Sequence, residues 1–331
     1  MAGGNRDTID LGLARTAGYR HAVRGSLARV VTFAMSVVVV ACGAAPAASA
    51  PSVAPTPTIR YTPMPTATPK PVVITPAPTA SPTPGPKFDE LPEPANNPGD
   101  LAKQIAMLEA GLRDPASTPE QIAWYGHLEQ LTLGRLADFP EWKDAVLAEL
   151  PEAIRVPYAG TVEAGRQLRM MYGAIPTRLP DWKIVAPAPI EELLTYYKEA
   201  EQTFGVPWTY LAAIHLVETR MGRIRGLSSA GAQGPMQFMP ATWAAYGKGD
   251  INDTHDAILG AARYLKASGA PGDMQRALFA YNHSQFYVNA LVQYATVMKN
   301  DPLAYRGYHG WQVYYPTKDG TILMPVGWVK S

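Results

Sequence analysis

The chain has 331 residues, of which 47% are hydrophobic and 17% are charged, and its formal net charge is +1 at pH 7. This length allows one domain of moderate size with appendages, or two small domains. A net charge so close to zero gives no electrostatic reason to expect a nucleic-acid partner. The chain has a single cysteine, Cys42, which excludes an internal disulfide.

The first 42 residues have the composition of a bacterial export signal. Several arginines precede a mostly apolar run, Val30–Ala41, which is too short to span a membrane comfortably. The run ends in Val39–Cys42, which resembles a lipobox, so Cys42 is predicted to become the lipid-carrying N-terminal residue. The alternative is an ordinary signal peptide cleaved after Ala50, with Cys42 incidental. Both predict a protein outside the cytoplasm, either lipid-anchored to the membrane or secreted to the cell wall.

Residues 43–98 are predicted to be a linker. Half of the 32 prolines of the chain fall between Pro46 and Pro98, interleaved with Thr, Ser and Ala. No acidic residue occurs between Cys42 and Lys87. Such a composition cannot bury a core and favours extended polyproline conformation, so we expect a semi-rigid spacer.

Residues 99–180 are predicted to form a helical hairpin. Apolar residues keep helical spacing across Leu101–Leu112 and again across Ile122–Leu136. Thr118, followed by a proline, is typical of a helix start. A further helix is predicted across Thr161–Tyr172. This region carries no recognisable chemistry.

A helix predicted to end near Glu218 carries the most informative carboxylate. Leu211, Ile214 and Glu218 share one helical face, which is otherwise apolar. An acid on such a face is costly to bury unless it is paired or protonated. A carboxyl group with a raised pKa is what a general acid needs near neutral pH. The alternative is a structural salt bridge between Glu218 and Arg220 or Arg223.

The segment Ser228–Trp243 is predicted to be a loop that approaches a ligand. Gly231 and Gly234 allow close backbone approach, and Gln237 offers a fixed amide. Pro240 suits the first turn of a short helix that follows the loop.

These two segments, followed by Tyr281 and Asn282, resemble the lytic transglycosylases, which share their fold with goose-type lysozyme. In that family a catalytic Glu on a helix precedes a Ser-x-x-Gly-Ala-x-Gly-x-Met-Gln loop and, farther on, a Tyr-Asn pair. All three parts occur here in that order. Family members often have Ser directly after the Glu, whereas this chain has Thr219, which keeps the hydroxyl. The resemblance covers about residues 187–300 and implies a lysozyme-like helical domain.

The resemblance implies cleavage of the β-1,4 bond between N-acetylmuramic acid and N-acetylglucosamine in peptidoglycan, with no cofactor or metal. Glu218 would first protonate the leaving oxygen and then act as base on the sugar's 6-hydroxyl, closing a 1,6-anhydro ring. Tyr281 is expected to orient Glu218 through its hydroxyl, and Gln237 to hold a sugar substituent. The residues expected to line the sugar site are Ser228, Met236, Gln237, Tyr281 and Asn282.

Two rival functions use the same residues differently. A lysozyme-type hydrolase would combine Glu218 with a water activated by Asp250 or Asp253. A binding module would bind glycan without turnover. The absence of a His-Glu-x-x-His motif from the sequence argues against a zinc peptidase. Acidic and polar residues alternate across Asp250–Asp256 as in a calcium loop, but the required glycine and terminal glutamate are absent, so turn and capping roles are predicted.

The remaining elements complete a mainly α prediction. Helices are predicted from Ile190 to Phe204, from Asp256 to Ser268 and from near Ser284. Residues 301–331 are predicted to end in a β-hairpin around Asp319 and Gly320. Two aromatic groups could stack on sugars, although packing is the favoured interpretation of both. These groups are Trp124, Tyr125 and Trp142 in the helical hairpin, and Tyr305, Tyr308, Trp311, Tyr314 and Tyr315 near the C terminus.

Overall fold

The computed structural model describes residues 85–171 and 175–330. The predicted signal segment with Cys42, and the predicted linker up to residue 84, lie outside the described residues. The described residues are mainly helical, with two small antiparallel sheets, which confirms the predicted fold class. None of the helices in this part of the chain is long and apolar enough to cross a membrane.

The helices are α1 (Pro98–Arg113), α2 (Pro119–Asp138), α3 (Lys143–Glu149), α4 (Glu152–Met171), α5 (Ile190–Phe204), α6 (Trp208–Thr219), α7 (Pro240–Tyr246), α8 (Thr254–Ala267), α9 (Met274–Tyr281), α10 (Gln285–Asn300) and α11 (Ala304–Gly310). The strands are β1 (Lys183–Ile184), β2 (Ile224–Arg225), β3 (Val313–Thr317) and β4 (Gly320–Met324). β1 pairs with β2, and β3 pairs with β4, both antiparallel.

Helix starts follow the capping signals of the sequence. Thr118 caps α2 in a reciprocal capping box with Gln121. Asp253 caps α8 and Ser284 caps α10, each by accepting a hydrogen bond from a backbone N–H three residues on. α4 begins at Glu152 rather than at Thr161, because Pro157 lies inside the helix without ending it.

The helical hairpin region packs against the lysozyme-like region through α4 and against the C-terminal helix α11 through α2. α4 packs along α10, and α2 packs along α11. Ala164 and Leu168 of α4 belong to the same buried cluster as Leu211 and Ile214 of α6. The predicted hairpin is therefore packed against the helices that surround α6.

The α6 helix lies at the centre of this core. All of its residues except Tyr210 are buried, and it packs against α5, α8 and α10. The sequence predicted a single core-facing stripe, which is too narrow, because the residues on nearly every side of the helix are buried. Glu218 would therefore be buried on almost any face of α6, because α6 lies at the centre of the fold.

The C-terminal hairpin forms where it was predicted, with Thr317 paired to Gly320 at its turn. The aromatic residues around it pack inside the protein rather than on its surface, which confirms the favoured interpretation for Tyr305, Tyr308, Trp311 and Tyr315, all buried. The hydroxyl of Tyr314 lies 2.6 Å from Nε2 of His127 on α2.

The last residues of the predicted linker contact the helical hairpin. Phe88 packs edge-to-face on Trp124 and Tyr125, and the indole of Trp124 donates a hydrogen bond to the Glu90 carbonyl over 2.8 Å. Asn97 caps α1. The packing interpretation thus also fits Trp124 and Tyr125, and Phe88 and Asn97, both within the predicted linker, contact the helices.

Candidate active site

Glu218 occupies the second-last position of α6 and is 5% exposed. The hydroxyl of Tyr287 donates a hydrogen bond to its Oε1 over 2.7 Å. Tyr287 lies in the first turn of α10 and is fully buried. The packing of α6 against α10 therefore brings together two residues that are 69 positions apart in the sequence.

Burial raises the pKa of Glu218 from its ordinary value of 4.5 to about 8, although the Tyr287 hydrogen bond acts to lower it. Burial penalises the charged form of a carboxyl group, whereas a donor to the carboxylate favours it. The effect of burial on the pKa is larger than that of the Tyr287 hydrogen bond, so the Glu218 side chain is mostly neutral at pH 7. A neutral carboxylic acid at that pH holds a proton that it can donate.

The salt-bridge alternative for Glu218 does not fit this geometry. Arg220 donates to the Leu216 carbonyl over 3.0 Å, and its guanidinium lies over the Trp311 ring. Arg223 donates to the carbonyl of His309 over 3.1 Å. An arginine paired to Glu218 would lower the pKa of that carboxyl group, whereas the pKa of Glu218 is raised in this structure.

The turn after α6 is strained and is tied to the glycine-rich loop. Arg220 and Met221 are consecutive non-glycine residues with φ of 55° and 58°. The left-handed region is unfavourable for such residues, and it persists where the surrounding structure enforces it. The hydroxyl of Thr219 donates to the Pro235 carbonyl over 2.5 Å and accepts from the Gly222 N–H over 3.1 Å. The hydroxyl expected at this position thus fixes the end of α6.

Ser228 and Gly234 shape the loop itself. Oγ of Ser228 accepts hydrogen bonds from the N–H groups of Ala230 and Ala232, so its hydroxyl oxygen is used within the loop. Gly234 has φ of 72°, and a Cβ there would overlap the Ile251 carbonyl. Gly234 therefore allows close approach to the protein's own backbone, whereas Gly231 has open space around it.

Met236 and Gln237 differ in what they offer a ligand. The Met236 side chain is fully buried, so it packs inside the protein beneath the loop backbone. Gln237 is half-buried with φ of 50°, and its Nε2 donates to the Gly234 carbonyl over 2.9 Å. This hydrogen bond fixes the amide orientation, in agreement with the expected fixed amide.

Tyr281 does not have the partner that the sequence predicted. Its hydroxyl donates to the Met236 carbonyl over 2.6 Å, and the hydroxyl that binds Glu218 belongs to Tyr287. The expectation that Tyr281 orients Glu218 is therefore corrected. Asn282, next to Tyr281, is half-buried and follows the last residue of α9. The sequence around Ser284 predicts where α10 starts. It does not predict which face of α10 packs against α6, so Tyr287 could not be identified from the sequence as the partner of Glu218.

The acidic residues proposed for a lysozyme-type mechanism have other partners. Oδ1 of Asp253 accepts from the Asp256 N–H at the start of α8. Oδ1 of Asp250 accepts from the Asn252 N–H over 2.9 Å. The turn and capping roles predicted for this segment are confirmed. Within the described residues, Asp253, His255 and Asp256 have ligand atoms close enough to hold a metal ion, but the two carboxylates already bind backbone amides.

Comparison with known proteins identifies the region around Glu218. Residues 195–301 match the model of the Transglycosylase SLT domain. Membrane-bound lytic murein transglycosylase F of Thiobacillus denitrificans is 30% identical to the chain over 135 residues, which is 38% of this chain and 26% of that protein. No solved structure matches the chain significantly. The resemblance to lytic transglycosylases is confirmed for this region, and the chain spans about a quarter of the length of the curated relative.

Proposed function

We propose that the chain, whose residues 195–301 match a transglycosylase domain, is a peptidoglycan lytic transglycosylase. It would cleave the β-1,4 bond between N-acetylmuramic acid and N-acetylglucosamine and leave 1,6-anhydromuramic ends. The observation that carries the proposal is the buried carboxyl group of Glu218, held by Tyr287 and with its pKa raised to about 8. Glu218 lies inside the matched region.

In the first step, Glu218 protonates the glycosidic oxygen and the bond to C1 of the muramic sugar breaks. Oε1 accepts the Tyr287 hydrogen bond, so we assign the transferred proton to Oε2. Positive charge develops at C1, and the acetamido oxygen of the same sugar stabilises it. One protein carboxylate is then sufficient, although most glycosidases use two.

In the second step, the Glu218 carboxylate takes the proton of the 6-hydroxyl, and that oxygen bonds to C1. The 1,6-anhydro ring closes and Glu218 regains its proton, so no water is consumed. The Tyr287 hydroxyl stabilises the intervening carboxylate by donating to it. We propose that the sugar is held by the loop and by the end of α9, with Ser228, Met236, Gln237, Tyr281 and Asn282 forming or supporting this site.

A hydrolase and a binding module each explain less of the environment of Glu218 than a transglycosylase does. A hydrolase of the usual kind needs a second carboxylate near the acid. Neither Asp250 nor Asp253 contributes to the pKa shift of Glu218, whose causes are burial and Tyr287. A binding module has no use for the buried acid Glu218, which is costly to bury.

We also propose that the protein works outside the cytoplasm, anchored by a lipid on Cys42 and spaced from the membrane by the proline-rich linker predicted over residues 43–98. The lipobox-like Val39–Cys42 supports the anchor. The relative from Thiobacillus denitrificans is described as membrane-bound.

Mass spectrometry of peptidoglycan digested with the protein tests the proposed reaction. Anhydromuramyl ends, lighter by one water than reducing ends, are expected. Glu218→Gln should lower turnover on the order of a hundredfold to ten-thousandfold. Glu129→Gln is the matched control, since Glu129 is also buried but binds Trp311 instead. Reducing ends alone would indicate a hydrolase, and unchanged peptidoglycan would indicate a binding module.

A further inference from the structure

Two consecutive carbonyl groups of the loop are each held by a hydroxyl from a different helix. Thr219, the last residue of α6, donates to the Pro235 carbonyl over 2.5 Å. Tyr281, the last residue of α9, donates to the Met236 carbonyl over 2.6 Å. We propose that Thr219 and Tyr281 are positioning residues that together fix the loop segment 233–238 relative to Glu218. This inference rests on the proposed function and assigns it two supporting side chains.

Neither hydroxyl is available for a second donor role. A hydroxyl has one proton to donate. The proton of Thr219 is used on Pro235, and its oxygen also accepts from the Gly222 N–H. The Tyr281 proton is used on Met236, so Tyr281 cannot donate to Glu218 or to a sugar while this bond is intact. Its part in the reaction is then exerted through the loop.

The loop conformation requires such support. Gln237 has φ of 50°, which is unfavourable for a non-glycine residue. Gln233 and Phe238 exchange two backbone hydrogen bonds of 2.8 Å at the base of the loop. The Gln237 N–H donates to the Gly234 carbonyl over 3.0 Å and closes the turn between them. The hydroxyls of Thr219 and Tyr281 hold the carbonyls immediately before Gln237, where the backbone enters this strained conformation.

The positions of Thr219 and Tyr281 predict how substrate binding changes when either hydroxyl is removed. Thr219 directly follows Glu218 in α6, so its bond joins the loop to the helix of the acid. Tyr281 joins the loop to α9. Removing either bond should loosen the sugar contacts made by the loop, while Tyr287 continues to hold Glu218. Substrate affinity should fall and the titration of Glu218 should stay unchanged.

The first test is hydrogen exchange of the Gln237 and Phe238 amides in the free protein. Tyr281→Phe and Thr219→Val should each speed exchange about tenfold, because a buried carbonyl loses its donor. Thr219→Ser keeps the hydroxyl and should preserve slow exchange. Tyr315→Phe is the matched control, since Tyr315 is also buried and donates to the Arg178 carbonyl over 3.0 Å, outside the loop. Unchanged exchange in both hydroxyl-deleting variants would overturn the proposal.

The second test uses soluble glycan strands freed of their peptides. The KM of Tyr281→Phe and of Thr219→Val should rise about tenfold, whereas kcat should change less than about threefold. The alkaline limb of the pH–rate profile should stay at the same pH in both variants. Thr219→Ser should restore the KM. A limb displaced in Tyr281→Phe would show that Tyr281 acts on Glu218 and would overturn the proposal. If the wild-type protein cleaves no glycan, the proposed function fails, and the exchange measurement still decides whether the loop is held in this way.

Discussion

At the scale of single residues, the proposed reaction depends on the environment of Glu218. A carboxyl group that is 5% exposed is held neutral by burial, and one tyrosine hydroxyl is placed to stabilise its charged form. These opposing effects suit a group that must give up a proton and recover it within one reaction. The same pKa shift also has consequences for stability, which can be measured without substrate.

Glu218→Gln should stabilise the protein at neutral pH. The folded pKa of Glu218 is about 8, above the ordinary value of 4.5 that applies to the unfolded chain. The folded state therefore binds the proton more tightly, and its stability falls as pH rises from 4.5 to about 8. Gln has no proton to lose, which removes a cost on the order of 3 kcal/mol at pH 7.

The measurement is the free energy of unfolding of both proteins at pH 4.5 and pH 7. The stabilisation by Gln should be larger at pH 7 than at pH 4.5. An equal effect at both pH values would contradict the raised pKa. A destabilised variant at pH 7 would instead favour a structural salt bridge.

Tyr287→Phe should move the alkaline limb of the pH–rate profile to higher pH. The Tyr287 hydrogen bond lowers the pKa of Glu218, so its removal raises that pKa further and keeps the acid protonated at higher pH. Turnover should fall, because the carboxylate formed in the reaction loses its donor. Tyr294→Phe is the matched control, since Tyr294 is a buried tyrosine on the same helix. An unmoved limb in Tyr287→Phe would contradict the assigned role.

At the scale of elements, the local signals of the sequence were sufficient to place many helix ends but not their packing partners. The caps Thr118, Asp253 and Ser284, and the hairpin turn near Asp319, depend on residues within a few positions of one another. The two-residue strands β1 and β2 have no detectable period, and the sequence did not predict them. The Tyr287 partner of Glu218 depends on how α6 meets α10, which no local pattern encodes.

Gly126→Ala should destabilise the contact between α2 and α11. A Cβ at Gly126 would overlap the Gly307 carbonyl and the Gly310 Cα, so the two helices would have to separate. Overpacking of this kind costs about 1–3 kcal/mol. Thermal unfolding measures the effect. Gly99→Ala is the control, because the nearest atom to a Cβ there is 3.8 Å away. Equal melting temperatures for the two variants would contradict this close approach.

At the scale of the whole molecule, the sequence predicts an export segment, a spacer and a folded part, and the described residues cover only the folded part and the end of the spacer. Packing contacts with the helices extend into the C-terminal part of the predicted linker. Residues up to 98 have linker composition, yet Phe88 and Asn97 contact the helices. Composition cannot show that a proline-rich segment ends in contacts made by an aromatic side chain and a helix cap.

Cys42→Ala should release the protein from the membrane fraction. A lipid chain on Cys42 would contribute about 0.8 kcal/mol for each buried CH₂ group, and more than one chain is needed for stable anchoring. Metabolic labelling with a tagged fatty acid, followed by fractionation, measures both uptake and location. A matched Ser52→Ala variant should keep label and location. Unlabelled wild-type protein would contradict the anchor.

Digestion of peptidoglycan in water labelled with oxygen-18, followed by mass spectrometry of the new muramyl ends, tests the proposed reaction. Ring closure by the sugar's own 6-hydroxyl, with Glu218 as acid and then base, predicts anhydro ends that contain no label. The Glu218→Gln protein should produce almost none of these ends. One labelled oxygen at each new reducing end would show that water attacks C1 and would contradict ring closure by the 6-hydroxyl.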